Sequence, residues 1–360
     1  MKIAVILGTR PEIIKTAPVI RELDRKQADF FILHTGQHYS YNLDKVFFEQ
    51  LGLSQPKHNL GVGSGSHAEE TGKMLVGIEK VLLKEKPDII LVEGDTNSVL
   101  AGALVAAKIG IKIGHVEAGL RSYDRTMPEE INRILADHCS DLLFAPTAQA
   151  KTTLLNEGIP EEKIFITGNT IVDAINQNLE IAGEKDNTLD TLNLKAREYF
   201  IVTLHRQENV DNRARFTSIL EGLDRVAAEF RIPVIYPVHP RSKKMMAEFS
   251  LQPRHLILSE PMDFLSFLQL ESSANLILTD SGGIQEEACI LKVPCVTLRD
   301  NTERPETVDV GANILAGASP DRIIECVTLM LRRKQNWQNP FGDGTASRKI
   351  IEIIMGGNNG

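Results

Sequence analysis

Residues 115–133, HVEAGLRSYDRTMPEEINR, carry four carboxylates (Glu117, Asp124, Glu129, Glu130) and three guanidinium groups (Arg121, Arg125, Arg133) between apolar segments. Gly119, Tyr123 and Pro128 punctuate the run, which a uniform solvated charge run would lack. Acids and bases interleaved in this way fit proton transfer on an anionic substrate. Glu117 is followed by Ala-Gly, so a helix-capping role does not account for it. Asp95 has two readings, a functional carboxylate or the cap of the next helix. Glu129 and Glu130 fall in the first turn after Pro128, where acids favour a helix anyway, and Glu129 with Arg133 has the i,i+4 spacing of a surface pair.

A second group suits a nucleotide. In DSGGIQEE, 280–287, the Gly282-Gly283 pair lets backbone approach a ligand, and the N–H groups of a following helix favour phosphate. Ser281 can donate its hydroxyl, and Glu287 can accept both hydroxyls of a ribose. A plain strand-to-helix turn with Ser281 as N-cap explains the glycines alone. The Ser before them and the two Glu after them favour a nucleotide site. Arg10 and Lys15 flank the start of the first helix and could reach a pyrophosphate or simply face solvent. Arg304, in TERPE, is a similar case. His205 ends an apolar run and precedes Arg206-Gln207-Glu208-Asn209.

Positioning these groups takes a particular scaffold. Short apolar runs at 3–7, 30–34, 89–92, 112–116 and 142–145 read as strands, with helices from Pro11, over 98–109 and from Pro128. A polar stretch, 180–198, reads as a linker or peripheral segment. Strand signals then resume at 199–204, 233–236, 256–258, 276–279 and 294–298. Repeated β-α alternation predicts α/β, doubly wound parallel sheets: two Rossmann-like domains facing a cleft. The expected division is 1–170 for the first and 171–344 for the second, with a final helix at about 345–360 returning to the first. Gly8-Thr9-Arg10, Asp95, Glu117, His205-Arg206, His239 and Asp280–Gly283 all follow predicted strands, the edge where such sheets bind ligands.

Bulk composition narrows the class. The 360 residues carry a formal net charge of -8, which argues against nucleic-acid or membrane-surface partners. Cys139, Cys289, Cys295 and Cys326 form no CxxC pair and are expected as reduced, buried thiols. No ligand spacing suggests a metal. No apolar run approaches the about 18 residues of a membrane span, and no signal peptide is evident, so a cytoplasmic protein is expected.

GTRPEIIK (8–15), TGQHY (35–39), EGDTNSVLAGALVA (93–106), HVEAGLRS (115–122), PEEINR (128–133), GNTIVDA (168–174), DSGGIQEEA (280–288), RDNTERPE (299–306) and NPFGDGTAS (339–347) together resemble the non-hydrolysing UDP-N-acetylglucosamine 2-epimerase family. The resemblance implies a glycosyltransferase-B type fold, a homodimer and interconversion of UDP-GlcNAc and UDP-ManNAc. It implies catalytic roles for Asp95, Glu117, Glu129 and His205. It implies nucleotide-sugar contacts at Arg10, Lys15, Arg133, His239, Ser281, Gly282, Gly283, Glu287 and Arg304, with Phe267 beside the uracil. Met262 departs from the Gln of bacterial relatives. Gln37 and His38 match part of a second, activating UDP-GlcNAc site, whereas GVGSGSHAEE (61–70) lacks an arginine that some of them use there.

The implied chemistry is anti elimination of UDP through 2-acetamidoglucal, then syn re-addition. The C2 hydrogen has no neighbouring carbonyl, so departure of UDP must first make it removable. Inversion needs proton handling on both faces, and one acid must stay protonated, as burial or a like charge would ensure. Neither a metal nor a nicotinamide cofactor is needed. The alternatives are an epimerase of a modified, 2,3-diacetamido UDP-sugar, a glycosyltransferase-B type glycosyltransferase, a hydrolysing epimerase, or a nucleotide-sugar-binding regulator.

Overall fold

The computed structural model describes residues 1–36, 41–184 and 188–356. Gln37 and His38, expected at an activating site, lie outside the described residues. The chain divides into two compact units, Met1–Gln177 with Phe341–Gly360, and Asn178–Pro340. Each is a parallel-sheet α/β domain, as the alternation predicts.

The first unit contains β1 (Lys2–Leu7), β2 (Asp29–His34), β3 (His58–Asn59), β4 (Ile89–Glu93), β5 (Lys112–Val116), β6 (Leu142–Ala145) and β7 (Ile164–Ile166), in the order β3-β2-β1-β4-β5-β6-β7. The second contains β8 (Phe200–Thr203), β9 (Val234–Pro237), β10 (Leu256–Ser259), β11 (Leu276–Thr279), β12 (Cys295–Thr297) and β13 (Asn313–Leu315), in the order β10-β9-β8-β11-β12-β13. Described pairings in both sheets are parallel. Chain order therefore reverses between β1 and β4, and again between β8 and β11, leaving a crevice at the carboxyl ends of each pair. Central strands such as β1 and β4 are buried along nearly their whole length, because helices cover both faces.

Local chemistry sets the elements. Pro11 sits in the first turn of helix Arg10–Arg25, where its missing N–H costs nothing. Ser66 and Glu69 form a capping box on helix His67–Glu85. Helix Ala346–Ile354 packs on helix Arg10–Arg25, and Asp173 accepts hydrogen bonds from Ala346 N, Ser347 N and Ser347 Oγ at its start. In the second unit Trp337 is buried, donates from Nε1 to Cys289 O at 2.9 Å, and carries Lys292 Nζ over its ring.

Of the two readings of 180–198, linker or peripheral segment, the structure fits the second. Helix Thr170–Gly183 occupies its start, and Leu189 is buried with Tyr199, Ile201 and Leu270 while Leu192 and Leu194 pack beside them. Three leucines in a polar stretch carry it onto a core. The short strands β3, β7 and β13 were not anticipated, because two or three residues are too few to show a period. Of the four thiols, Cys289, Cys295 and Cys326 are free and buried, whereas Cys139 is only half-buried.

Candidate active site

In the first unit the polar groups gather at the carboxyl edge of β1, β4 and β5. Gly8 must be glycine, since a Cβ there would stand 2.1 Å from Thr35 Oγ1 and 2.2 Å from Ser98 Oγ. That close fit turns the chain into helix Arg10–Arg25, which delivers Glu12 and Lys15. Glu12 is buried and accepts from Gly8 N at 3.0 Å and Thr96 Oγ1 at 2.8 Å. Burial outweighs these bonds and pushes its carboxyl up to about 7.

Glu117 is the strained member. Its φ of 68° places a non-glycine residue in the left-handed region. The surroundings impose this. Gly119 must lie against Ala150 O, only 2.4 Å from where a Cβ would be, and Asp137 holds Gly119 N at 3.2 Å. Asp137 also pairs with His115 Nδ1 at 2.7 Å, and the other ring nitrogen of His115 lies 2.8 Å from Gly94 O. Burial alone would lower the His115 value, but the Asp137 carboxylate outweighs it and raises it. So aimed, the Glu117 carboxylate accepts from Lys15 Nζ at 2.5 Å and Asn169 Nδ2 at 3.2 Å. Lys15 Nζ lies 3.4 Å from Glu93 Oε1 as well.

Asp95 does not cap the next helix. Thr96 does, its hydroxyl accepting from Ser98 N and Val99 N. Asp95 instead receives Arg133 Nη2 at 2.5 Å, while Asn132 Nδ2 donates to its carbonyl at 2.9 Å. The expected Glu129–Arg133 surface pair does not form; Arg133 binds Glu130 at 2.9 Å instead. Nor is Glu130 a surface acid: it is buried and accepts from Ser122 N, Ser122 Oγ and Tyr123 N, anchoring the loop before helix Pro128–Cys139. One register step along the helix separates the buried Glu130 from the exposed Glu129, a difference the spacing could not show. Arg10 is exposed at the start of its helix.

The second unit's edge is built on a different plan. Asp280, fully buried, accepts from His205 N, Arg206 N and Asn209 Nδ2 at 3.0–3.2 Å, tying the loop after β8 to the end of β11. The His205 ring lies 3.4 Å from Asp280 Oδ1 and 5.3 Å, centroid to centroid, from that of His239. Burial lowers the His205 value and His239 lowers it further, against the opposing pull of Asp280. His239 itself caps helix Pro240–Phe249 by accepting from Arg241 N.

Ser281 holds the cap position of helix Gly282–Ile290, yet its hydroxyl makes no capping bond. A Cβ on Gly282 or Gly283 would meet nothing closer than 3.6 Å. The glycines therefore relieve no clash; a Cβ on Gly282 would make ordinary contact with Glu303 Oε2 at 3.6 Å and Arg206 Nη2 at 4.0 Å, and the bare backbone at this helix N-terminus presents its N–H groups. Arg304 Nε lies 2.8 Å from the buried Glu286. Glu287, half-buried, faces Glu271, a fully buried carboxyl raised well above the ordinary range by burial and then by Glu287. Phe267 and Met262 pack against the apolar cluster of Tyr199 and Leu270. Among the described residues no cluster of His, Cys, Asp or Glu could hold a metal ion, and no helix is long and apolar enough to cross a membrane.

Sequence reading missed Glu12, Glu93 and Glu271, and it placed Asp280 at a strand end without its knot of donors. Glu12 resembles an ordinary first-turn acid, and Glu271 one face of an amphipathic helix. Glu93 did carry a signal, closing an apolar run where a strand residue should be buried on both faces.

The profile of the UDP-N-acetylglucosamine 2-epimerase family matches residues 21–355. The chain is 57% identical to the UDP-N-acetylglucosamine 2-epimerase of Methanocaldococcus jannaschii, over 99% of this chain and 100% of that one. A crystal structure of the Methanocaldococcus jannaschii UDP-GlcNAc 2-epimerase in complex with UDP-GlcNAc and UDP superposes with a TM-score of 0.89, covering 99% of this chain and 100% of the other. The UDP-2,3-diacetamido-2,3-dideoxy-D-glucuronate 2-epimerase of Pseudomonas aeruginosa is 42% identical, over 98% of this chain and 99% of that protein.

Proposed function

Because this chain belongs to the UDP-N-acetylglucosamine 2-epimerase family, we propose that it interconverts UDP-N-acetylglucosamine and UDP-N-acetylmannosamine. The reaction is anti elimination of UDP through 2-acetamidoglucal, followed by syn re-addition. The observation that carries this reading is Glu117: a carboxylate held in a left-handed backbone, gripped by Lys15 at 2.5 Å and backed by buried acids. Strain of this kind persists only where surrounding structure imposes it, and it is concentrated at reacting groups.

Asp95, Glu117 and Glu129 are the proton-transfer or cation-stabilising groups. Arg133 holds Asp95 in place and Lys15 holds Glu117. The exposure of Glu129 suits a group whose partner arrives with the substrate. His205, whose value burial lowers, assists at the departing phosphate, with His239 beside it. Ser281, Gly282 and Gly283 offer hydroxyl and backbone N–H groups to the diphosphate, supported by Arg304. Glu287 takes the ribose hydroxyls and Phe267 the uracil. The enzyme acts as a homodimer in the cytoplasm and needs no added cofactor.

Incubation with UDP-GlcNAc alone in deuterated water, followed by proton NMR, tests this. A mixture of UDP-GlcNAc and UDP-ManNAc carrying deuterium at C2 is expected. Epimer without deuterium would overturn the elimination. Free sugar would indicate hydrolysis, and no change a transferase or binder. The 42% identical relative supports a second reading, a 2,3-diacetamido UDP-uronate as substrate. That reading is tested by the same assay with that nucleotide sugar.

A further inference from the structure

Five carboxyl groups surround two cations at the edge of the first sheet: Glu12, Glu93, Asp95, Glu117 and Glu130 against Lys15 and Arg133. Arg133 is committed to Asp95 and Glu130 at 2.5 and 2.9 Å. Among the described ion pairs, the Lys15 ammonium is shared by Glu117 at 2.5 Å and Glu93 at 3.4 Å. Glu93 is the deeper of the two, with its Oε1 buried and lacking a hydrogen-bond partner. A buried carboxylate without a full partner is far more costly than a neutral carboxyl. Three further carboxyls repel a negative charge there: Glu117 after β5, Glu12 on helix Arg10–Arg25 and Asp95 after β4, while His115 on β5 is committed to Asp137 and Gly94 O.

We infer that Glu93 is a positioning residue for Glu117: it stands in the fold as the uncharged acid and so leaves the Lys15 ammonium to the Glu117 carboxylate. An ionised Glu93 would compete for Lys15 and loosen the grip that aims Glu117. Burial, the largest influence on Glu93, raises its value well above the ordinary carboxylate range, with Lys15 only partly offsetting it. This assignment rests on the epimerase reading for its consequence in turnover, but not for its consequence in stability.

A carboxyl that ionises in the unfolded chain and not in the fold makes the fold less stable as pH rises above the ordinary carboxylate range, until the folded group itself ionises. Glu93→Gln removes that penalty. Wild type and Glu93→Gln are compared by thermal melting and by kcat/KM for UDP-GlcNAc epimerisation between pH 5 and pH 9. The melting temperature of the variant should gain on wild type steadily as pH rises. Its kcat/KM should match wild type within about twofold at pH 6 and exceed it by a margin that widens toward the alkaline end of the range. A melting gap independent of pH, or superimposable activity profiles, would overturn the inference. Glu117→Gln gives the reciprocal test by melting alone. With Lys15 released to Glu93, its melting temperature should fall less with pH than that of wild type; an unchanged slope overturns the inference. If wild type epimerises nothing, the epimerase reading fails, and the two melting comparisons still decide the role of Glu93.

Discussion

The two parallel sheets share a plan and spend their strand ends differently. At the edge of the first sheet, carboxyls outnumber cations, several are buried, and Glu117 is forced into a left-handed backbone. At the edge of the second, the buried carboxylate that ends β11, Asp280, is used up on backbone and amide donors, and beside it stand the Ser281 hydroxyl, the glycine N–H groups and the imidazoles of His205 and His239. The first edge can move protons; the second can hold an anion. Topology fixes where a site lies, and the leftover charge at each edge fixes what it can do.

Glu117→Gln attacks the proton-handling side directly. The loss of epimerisation should be about 10²- to 10⁴-fold, with nucleotide binding retained. Activity near wild type, measured by coupled assay on a folded variant, would break the contrast between the edges. Glu12→Gln probes the same side through stability. The wild-type carboxyl, pushed up to about 7, costs nothing below pH 4.5 and makes the fold progressively less stable between pH 4.5 and 7. Denaturation at pH 5 and pH 8 should show the variant gaining up to about 3 kcal/mol on wild type across that window. A constant difference would remove Glu12 from the set of stored acids.

Asp280→Asn tests the other edge. An amide in place of the carboxylate confronts three donors with fewer acceptor lone pairs, so stability should fall by about 2 kcal/mol, read by urea denaturation. UDP affinity, read by calorimetry, should fall with it. Smallest is Ser281→Ala. Its hydroxyl makes no capping bond, so stability should stay within about 0.5 kcal/mol while UDP binding weakens by about fivefold. A loss of stability instead of affinity would return Ser281 to a purely structural role.

Much of this was legible beforehand because the alternation of apolar runs and helices places strand ends, and strand ends place Asp95, Glu117, His205 and the 280–283 turn. What stayed hidden depends on depth. Glu129 and Glu130 are neighbours with identical chemistry, yet one is exposed and the other anchors a loop. Glu12 reads as a helix-dipole acid, but the approach of Gly8 and Thr96 encloses it. Asp280 sits in a motif that draws attention to its glycines, while its role as a knot between β8 and β11 exists only once those strands pair. Arg133 chose Asp95 over the helix partner that spacing offered, because the β4 loop brings that carboxylate within reach.

Trp337 has a use of its own. It is the single tryptophan in 360 residues, and its indole donates to Cys289 O on the helix that begins at Gly282. Tryptophan emission, excited apart from the tyrosines, therefore comes from one site in the 178–340 unit. An emission titration with UDP would watch the helix proposed to face the diphosphate from its far end. Emission and far-ultraviolet dichroism followed through one denaturant series would tell whether the two units melt as one.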